Sequence, residues 1–175
     1  MIDGGPGAAP QGMLEAWLVT DAHADLMREI RALAWPMRLE PEVEAFVHGD
    51  FRVSPHAVVH TSHPTFGYRI DINGFRVGWA PEFLEFPDWA RGFDLLFADA
   101  AGWNRPIRFA GGTGGHASVL DVAEQARERG VRRLIFAHIG RPTIRAIDAG
   151  SEPPFGEFGH DGQVFMLDTR TKTAP

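Results

Sequence analysis

The chain has 175 residues, enough for a domain with a core of its own, and its 44% hydrophobic and 23% charged content exclude a disordered or collagen-like polymer. It has no cysteine, which removes disulfides, thiolate metal clusters and thiol nucleophiles, so any metal must be held by His, Asp and Glu. The formal charge of −6 argues against general nucleic-acid binding, and Lys172 is the only lysine, so no lysine chemistry is expected in the body of the fold. No apolar run approaches the roughly 20 residues of a membrane span. Residues 1–12 carry no Lys or Arg and no signal-peptide core, so the expected compartment is the cytoplasm.

The chain opens on turn chemistry, Asp3-Gly4-Gly5-Pro6-Gly7. The apolar run 16–20 predicts a short buried strand. A polar loop, 21–25, follows. Leu26, Met27, Ile30, Leu33 and Ala34 then stand at helical spacing, with Asp25 as the expected N-cap and Pro36 as the stop. A short strand is expected at 45–47.

The clearest local pattern is a pair of alternating runs, 68–72 and 75–79, around Asn73-Gly74, the preferred pair for a type I′ turn. Pairing Tyr68 with Trp79, Ile70 with Val77 and Ile72 with Phe75 puts all six on one face, with Arg69, Asp71 and Arg76 on the other. Next come a central strand at 93–98, a glycine-rich loop at 111–115, and a helix capped by Ser118 with Asp121 and stopped by Gly130. A buried strand at 134–137 ends at His138. Residues 150–159 read as a Gly/Pro loop, 164–167 as a last strand, and those after about 168 as a disordered tail. The mixed order predicts a single α/β layered domain over 1–175.

Of eight histidines, His48, His56 and His160 sit in polar, loop-like contexts and are assigned to solvent. His23, His60, His63, His116 and His138 each lie where a strand meets a loop, the place where a rigid sheet can aim several side chains at one point. Ile2 to Pro6, Thr20 to Leu26, His60 to Ile70, Trp79 to Glu82, Gly115 to Ser118 and Phe136 to His138 follow one another in a family's order. Together they resemble the metallo-β-lactamase superfamily, in its phosphodiesterase and tRNA 3′-processing-nuclease-like branch.

That resemblance implies an αββα sandwich, here without its first strands, and a site for two zinc-type ions sharing an activated water. Asp21-Ala22-His23-Ala24-Asp25-Leu26 stands at the His-x-His-x-Asp-His signature. Asp21 replaces the first histidine, Leu26 the last, and Glu82 the bridging aspartate. The implied metal ligands are Asp21, His23, Asp25, Glu82 and His138, with His60 and His63 competing for one position. His60 is preferred because it ends the apolar run 57–59. Carboxylate oxygen is an accepted zinc donor, but leucine has no lone pair, so a weakened or mononuclear site is expected, with Mn or Fe able to replace Zn. Leu26 has an alternative use as a core residue of the first helical turn.

The implied activity is metal-dependent hydrolysis of a phosphodiester or related ester, on a small-molecule or nucleotide substrate. Asp25 would orient the water or act as base, and His116 would protonate the leaving oxygen. The glycine loop would cradle phosphate at a helix N-terminus, aided by Arg141 and Arg145. The alternative is a member that has lost catalysis and serves as a binding or regulatory protein. Missing first strands would leave a sheet edge exposed, which favours a homodimer.

Overall fold

Asn73 (φ 50°) and Gly74 (φ 74°) both take the left-handed backbone that a two-residue hairpin turn requires. Around them the computed structural model, which describes residues 1–10 and 12–167, forms the hairpin in the expected register: Tyr68 opposite Trp79, Ile70 opposite Val77, Ile72 opposite Phe75. In chain order the elements are α1 (Met27–Ala34), β1 (Phe46–His48), β2 (Phe51–Val58), β3 (Thr65–Ile72), β4 (Phe75–Ala80), β5 (Leu95–Ala100), β6 (Ile107–Arg108), β7 (Gly115–His116), α2 (Val119–Glu128), β8 (Leu134–Ile139), α3 (Arg141–Asp148) and β9 (Glu157–Phe158). Seven strands share one sheet in the order β1-β2-β3-β4-β5-β8-β9, and β6 pairs with β7 apart from it. Neighbours are antiparallel from β1 to β4 and parallel from β4 to β9. The architecture is therefore mixed α/β, one large sheet with few helices. No helix among the described residues is long and apolar enough to cross a membrane.

The helix α2 makes the crossover between parallel β5 and β8. Ser118 caps it: its hydroxyl accepts from the Asp121 N–H at 3.2 Å and donates to the Asp121 carboxylate at 2.6 Å. Its stripe of Val119, Val122, Ala123 and Ala126 is buried against Phe93, Leu96, Ala98, Leu134 and Phe136. Alternation sends Val77, Leu95 and Ile135 to the opposite face, where half-buried Phe97 and Phe165 pack on them. Val77 is 7% exposed. Val77→Ala should cost about 2 kcal/mol in urea unfolding, from two lost methyl groups plus a small cavity. A loss below roughly 0.5 kcal/mol would place that face in solvent.

Several local expectations are corrected. On the hairpin's polar face the guanidiniums of Arg69 and Arg76 lie over the Phe93 ring at 6.0 and 5.7 Å. Trp17, Leu18 and Val19 are buried but form no strand: Leu18 makes only isolated bridges to Ile2 and Glu42, and a one-residue partner on each side cannot propagate a ladder. Strand β2 was missed because it contains Pro55, which β2 tolerates where β1 no longer pairs with it. Asp25 does not cap α1. The N-cap is Leu26 without a side-chain bond, and the Met27 N–H donates to the Ala24 carbonyl at 3.0 Å instead.

Residues 164–167 form no strand, and Val164 and Met166 are 80% and 83% exposed. Among the described residues the last strand is β9, inside the stretch read as loop, where it runs parallel to β8. Arg141 and Arg145 sit not in a loop but on α3, which starts after Gly140 with Pro142 in its first turn. The tail expected to be disordered after about 168 lies outside the described residues.

Candidate metal centre

His60 lies before β3, Glu82 after β4, His116 at the end of β7 and His138 near the end of β8. The sheet brings their heads together. Ligand-type atoms of His60, Glu82 and His116 all lie within 4.8 Å of one another. His138 joins them through Glu82, with its Nδ1 3.3 Å from Oε1, while His60 Nε2 stands 3.7 Å from Oε2. The rings pack together as well: His116 stacks on His138 at 5.0 Å and meets His60 at 4.6 Å. His138 reaches this place by a β-bulge. Asp99 pairs with Ala137 and Ala100 with Ile139, so His138 is thrown out of register, at φ 48°.

Two of these imidazoles are each oriented by a partner outside the cluster. His60 is 5% exposed, and its Nδ1 donates to the Gly115 carbonyl at 2.9 Å. A carbonyl only accepts, so Nδ1 carries a proton and Nε2 is the ring atom that faces Glu82. His116 Nδ1 donates to Asp99 Oδ2 at 2.7 Å. Asp99 is fully buried and also accepts the N–H groups of Phe83 at 2.9 Å and Ala101 at 2.8 Å. Burial alone would lower the His116 pKa, but the hydrogen bond and charge of Asp99, with the charge of Glu82, hold it above the usual histidine value.

A second group lies beside the first. Asp21 is buried and its Oδ2 meets His63 Nε2 at 2.8 Å, while the His23 ring packs edge-on against His63 at 5.0 Å. His60, Glu82 and His138 of the first group and all three residues of the second line one cavity of about 540 Å³, which Asp25 and Leu26 also line. The carboxylates of Asp3, Asp21, Asp25 and Glu82 line it, and no Lys or Arg does. Such a cavity repels an anionic substrate unless a cation offsets its charge. Imidazole nitrogens with fixed tautomers beside a carboxylate are the donor set a divalent ion takes, so the residues present fit a metal.

The cavity thus collects His23, Asp25, His60, His63, Asp21, Glu82 and His138, but they do not stand alike. His60, Glu82, His116 and His138 form the inner cluster, Asp21, His23 and His63 a neighbouring one, and Asp25 is exposed at the rim. Arg141 and Arg145 are exposed on α3 and are not among the residues that line this cavity. Leu26 is 50% exposed and is not the core residue its alternative reading required.

Two residues escaped the sequence reading. Asp99 ends the apolar strand run 95–98, and a carboxylate so placed needs buried donors, which was the available signal. Asp3 looked like turn chemistry. Instead it accepts from the Thr20 N–H and hydroxyl at 2.7 and 2.9 Å and from the Trp79 indole at 2.6 Å. Burial pushes its pKa up against those bonds.

The profile of the beta-lactamase superfamily domain matches residues 9–139. The chain belongs to the metallo-β-lactamase superfamily. Solved structures share the superfamily fold at low identity. A diphosphatase of the PhnP family is 19% identical, with 93% of this chain and 76% of that one covered, at a TM-score of 0.66. The metallo-beta-lactamase fold protein YhfI from Bacillus subtilis is 16% identical over 83% and 74%, at 0.60. An isothiocyanate hydrolase from Delia radicum gut bacteria is 9% identical over 89% and 79%, at 0.58. No curated protein matches the chain in sequence.

Proposed function

We propose that this superfamily member is a metal-dependent hydrolase of a phosphodiester or related ester. The observation that carries the reading is the inner cluster, three imidazoles around Glu82 with two of the rings fixed through Nδ1, of which His60, Glu82 and His138 line a cavity whose charged side chains are all acidic. His60, Glu82 and His116 would hold the ion, with His138 beside them. An ion there supplies Lewis-acid polarisation and activation of water. The proton-donor role expected for His116 competes with ligation, since one ring nitrogen is spent on Asp99; we assign His116 to the ion. Asp25, exposed at the rim, is left as the group that orients water or takes its proton.

The test is hydrolysis of bis(4-nitrophenyl) phosphate after chelation and re-addition of zinc, manganese or iron. Turnover should return with metal and fall roughly 100-fold or more in Glu82→Ala. Metal-independent turnover, or equal rates in wild type and Glu82→Ala, would contradict the reading.

A catalytically impaired binding or regulatory member is the second reading. It is favoured by Asp21, whose carboxylate is committed to His63 and to the His23 N–H, and by leucine at position 26. Leu26 is half-exposed at the cavity wall, so histidine should be tolerated there. Leu26→His is expected to raise bound metal above the wild-type stoichiometry without lowering the melting temperature. A variant that melts lower and binds no more metal would show the second ion position to be lost.

A further inference from the structure

A second cavity, of about 460 Å³, lies across His138 from the inner cluster and shares Trp79, Ala137 and His138 with the first. Its walls are aromatic and inclined to one another. Trp79 meets Phe97 at 5.4 Å and 51°, and Phe97 meets Phe165 at 5.1 Å and 86°. Trp79 is held in place because its indole N–H is spent on Asp3, so it offers the cavity a ring and not a donor. The rim is polar and comes from the turn after β9. The Gly159 N–H donates to the Phe136 carbonyl at 2.9 Å, which pins that turn to β8. Gln163 Oε1 accepts from the His160 N–H at 3.2 Å. This bond orients the carboxamide, whose nitrogen has no partner among the described residues, and Asp161 stands two residues before it on the same rim.

We propose that this cavity is a subsite for the nucleobase of a nucleotide ester whose phosphate occupies the first cavity. The proposal rests on the hydrolase reading for the phosphate half only. Flat walls at two inclinations suit a flat ring, which can stack on one and meet the other edge-on. An alkyl group would fill the space but leave the polar rim unused. A heterocycle with adjacent donor and acceptor groups meets both the Gln163 amide and the Asp161 carboxylate. Aromatic platforms bind bases through their π-faces, so the walls accept either ring size and the rim sets the preference.

The test is calorimetric titration of the zinc-loaded full chain with adenosine, ribose 5-phosphate and adenosine 5′-monophosphate, because without a cation the acidic first cavity repels phosphate. Adenosine should bind by itself, and the monophosphate more tightly than ribose 5-phosphate by about tenfold or more. Phe165→Ala should weaken adenosine and the monophosphate by a similar factor and leave ribose 5-phosphate unchanged. Phe165→Leu, which keeps apolar volume but removes the ring, should behave alike with an unaltered melting temperature, separating stacking from folding. Adenosine that fails to bind, or binds wild type and both variants equally, overturns the subsite. If adenosine binds and responds to Phe165 while ribose 5-phosphate does not bind, the subsite stands and the hydrolase reading falls.

Discussion

Asp99→Ala is expected to destabilise the protein by about 3–5 kcal/mol, the usual cost of stripping one partner from a buried, hydrogen-bonded charge pair. The carboxylate has no exposed surface, and its removal strands the Phe83 and Ala101 N–H groups and the His116 Nδ1 that it accepts from. Asp99→Asn keeps the volume and one accepting oxygen, so it should recover part of the loss. Urea unfolding of the three proteins measures this. A cost below about 1 kcal/mol for Asp99→Ala would mean that the three donors find other partners. The same change should loosen His116, so bound metal should fall even in molecules that remain folded.

The second large effect is expected at Gly114, where the smallest possible side chain does the damage. A Cβ there would collide with the backbone carbonyl of His60, and one at Gly115 with the carbonyl of Ile107. Neither obstacle is the flexible end of a side chain. Gly114→Ala must therefore push the loop away from His60, at a cost of about 1–3 kcal/mol or more. The displacement breaks the paired bonds by which the Gly115 N–H donates to the His60 carbonyl at 2.8 Å and His60 Nδ1 donates to the Gly115 carbonyl. Metal affinity should drop together with melting temperature. Gly111→Ala is the control: nothing lies within 4 Å of a Cβ there, so only its left-handed backbone (φ 83°) is penalised. Equal metal affinity in Gly114→Ala and wild type would show that the close approach does not position His60.

These glycines mark where the sequence was legible and where it was not. The run 111–115 was readable as a loop, but the backbone it approaches was not, because close approach of two distant segments leaves no trace in local pattern. The hairpin was fully legible, since alternation and Asn73-Gly74 act within a dozen residues. His138 was legible too, as a histidine directly after a buried strand, although the bulge that aims it depends on the β5 register. Asp3 and Asp99 were not. Their roles are set by donors 17 and 76 residues away for Asp3 and 16 and 17 residues away for Asp99. The choice between His60 and His63 was open for the same reason: the partners that distinguish them, Gly115 and Asp21, lie 55 and 42 residues off.

The measurement that bears most directly on the metal centre is zinc content by mass spectrometry of the full chain, after exhaustive chelation, reloading and removal of free metal. The arrangement of His60, Glu82 and His116 predicts close to one ion per chain in wild type. It predicts loss of that ion in Glu82→Ala and in His60→Ala, and its retention in His48→Ala, whose exposed ring is paired with Glu15 and is not part of the cavity lining. A wild-type protein that reloads no metal, or variants that all retain it equally, would contradict the account.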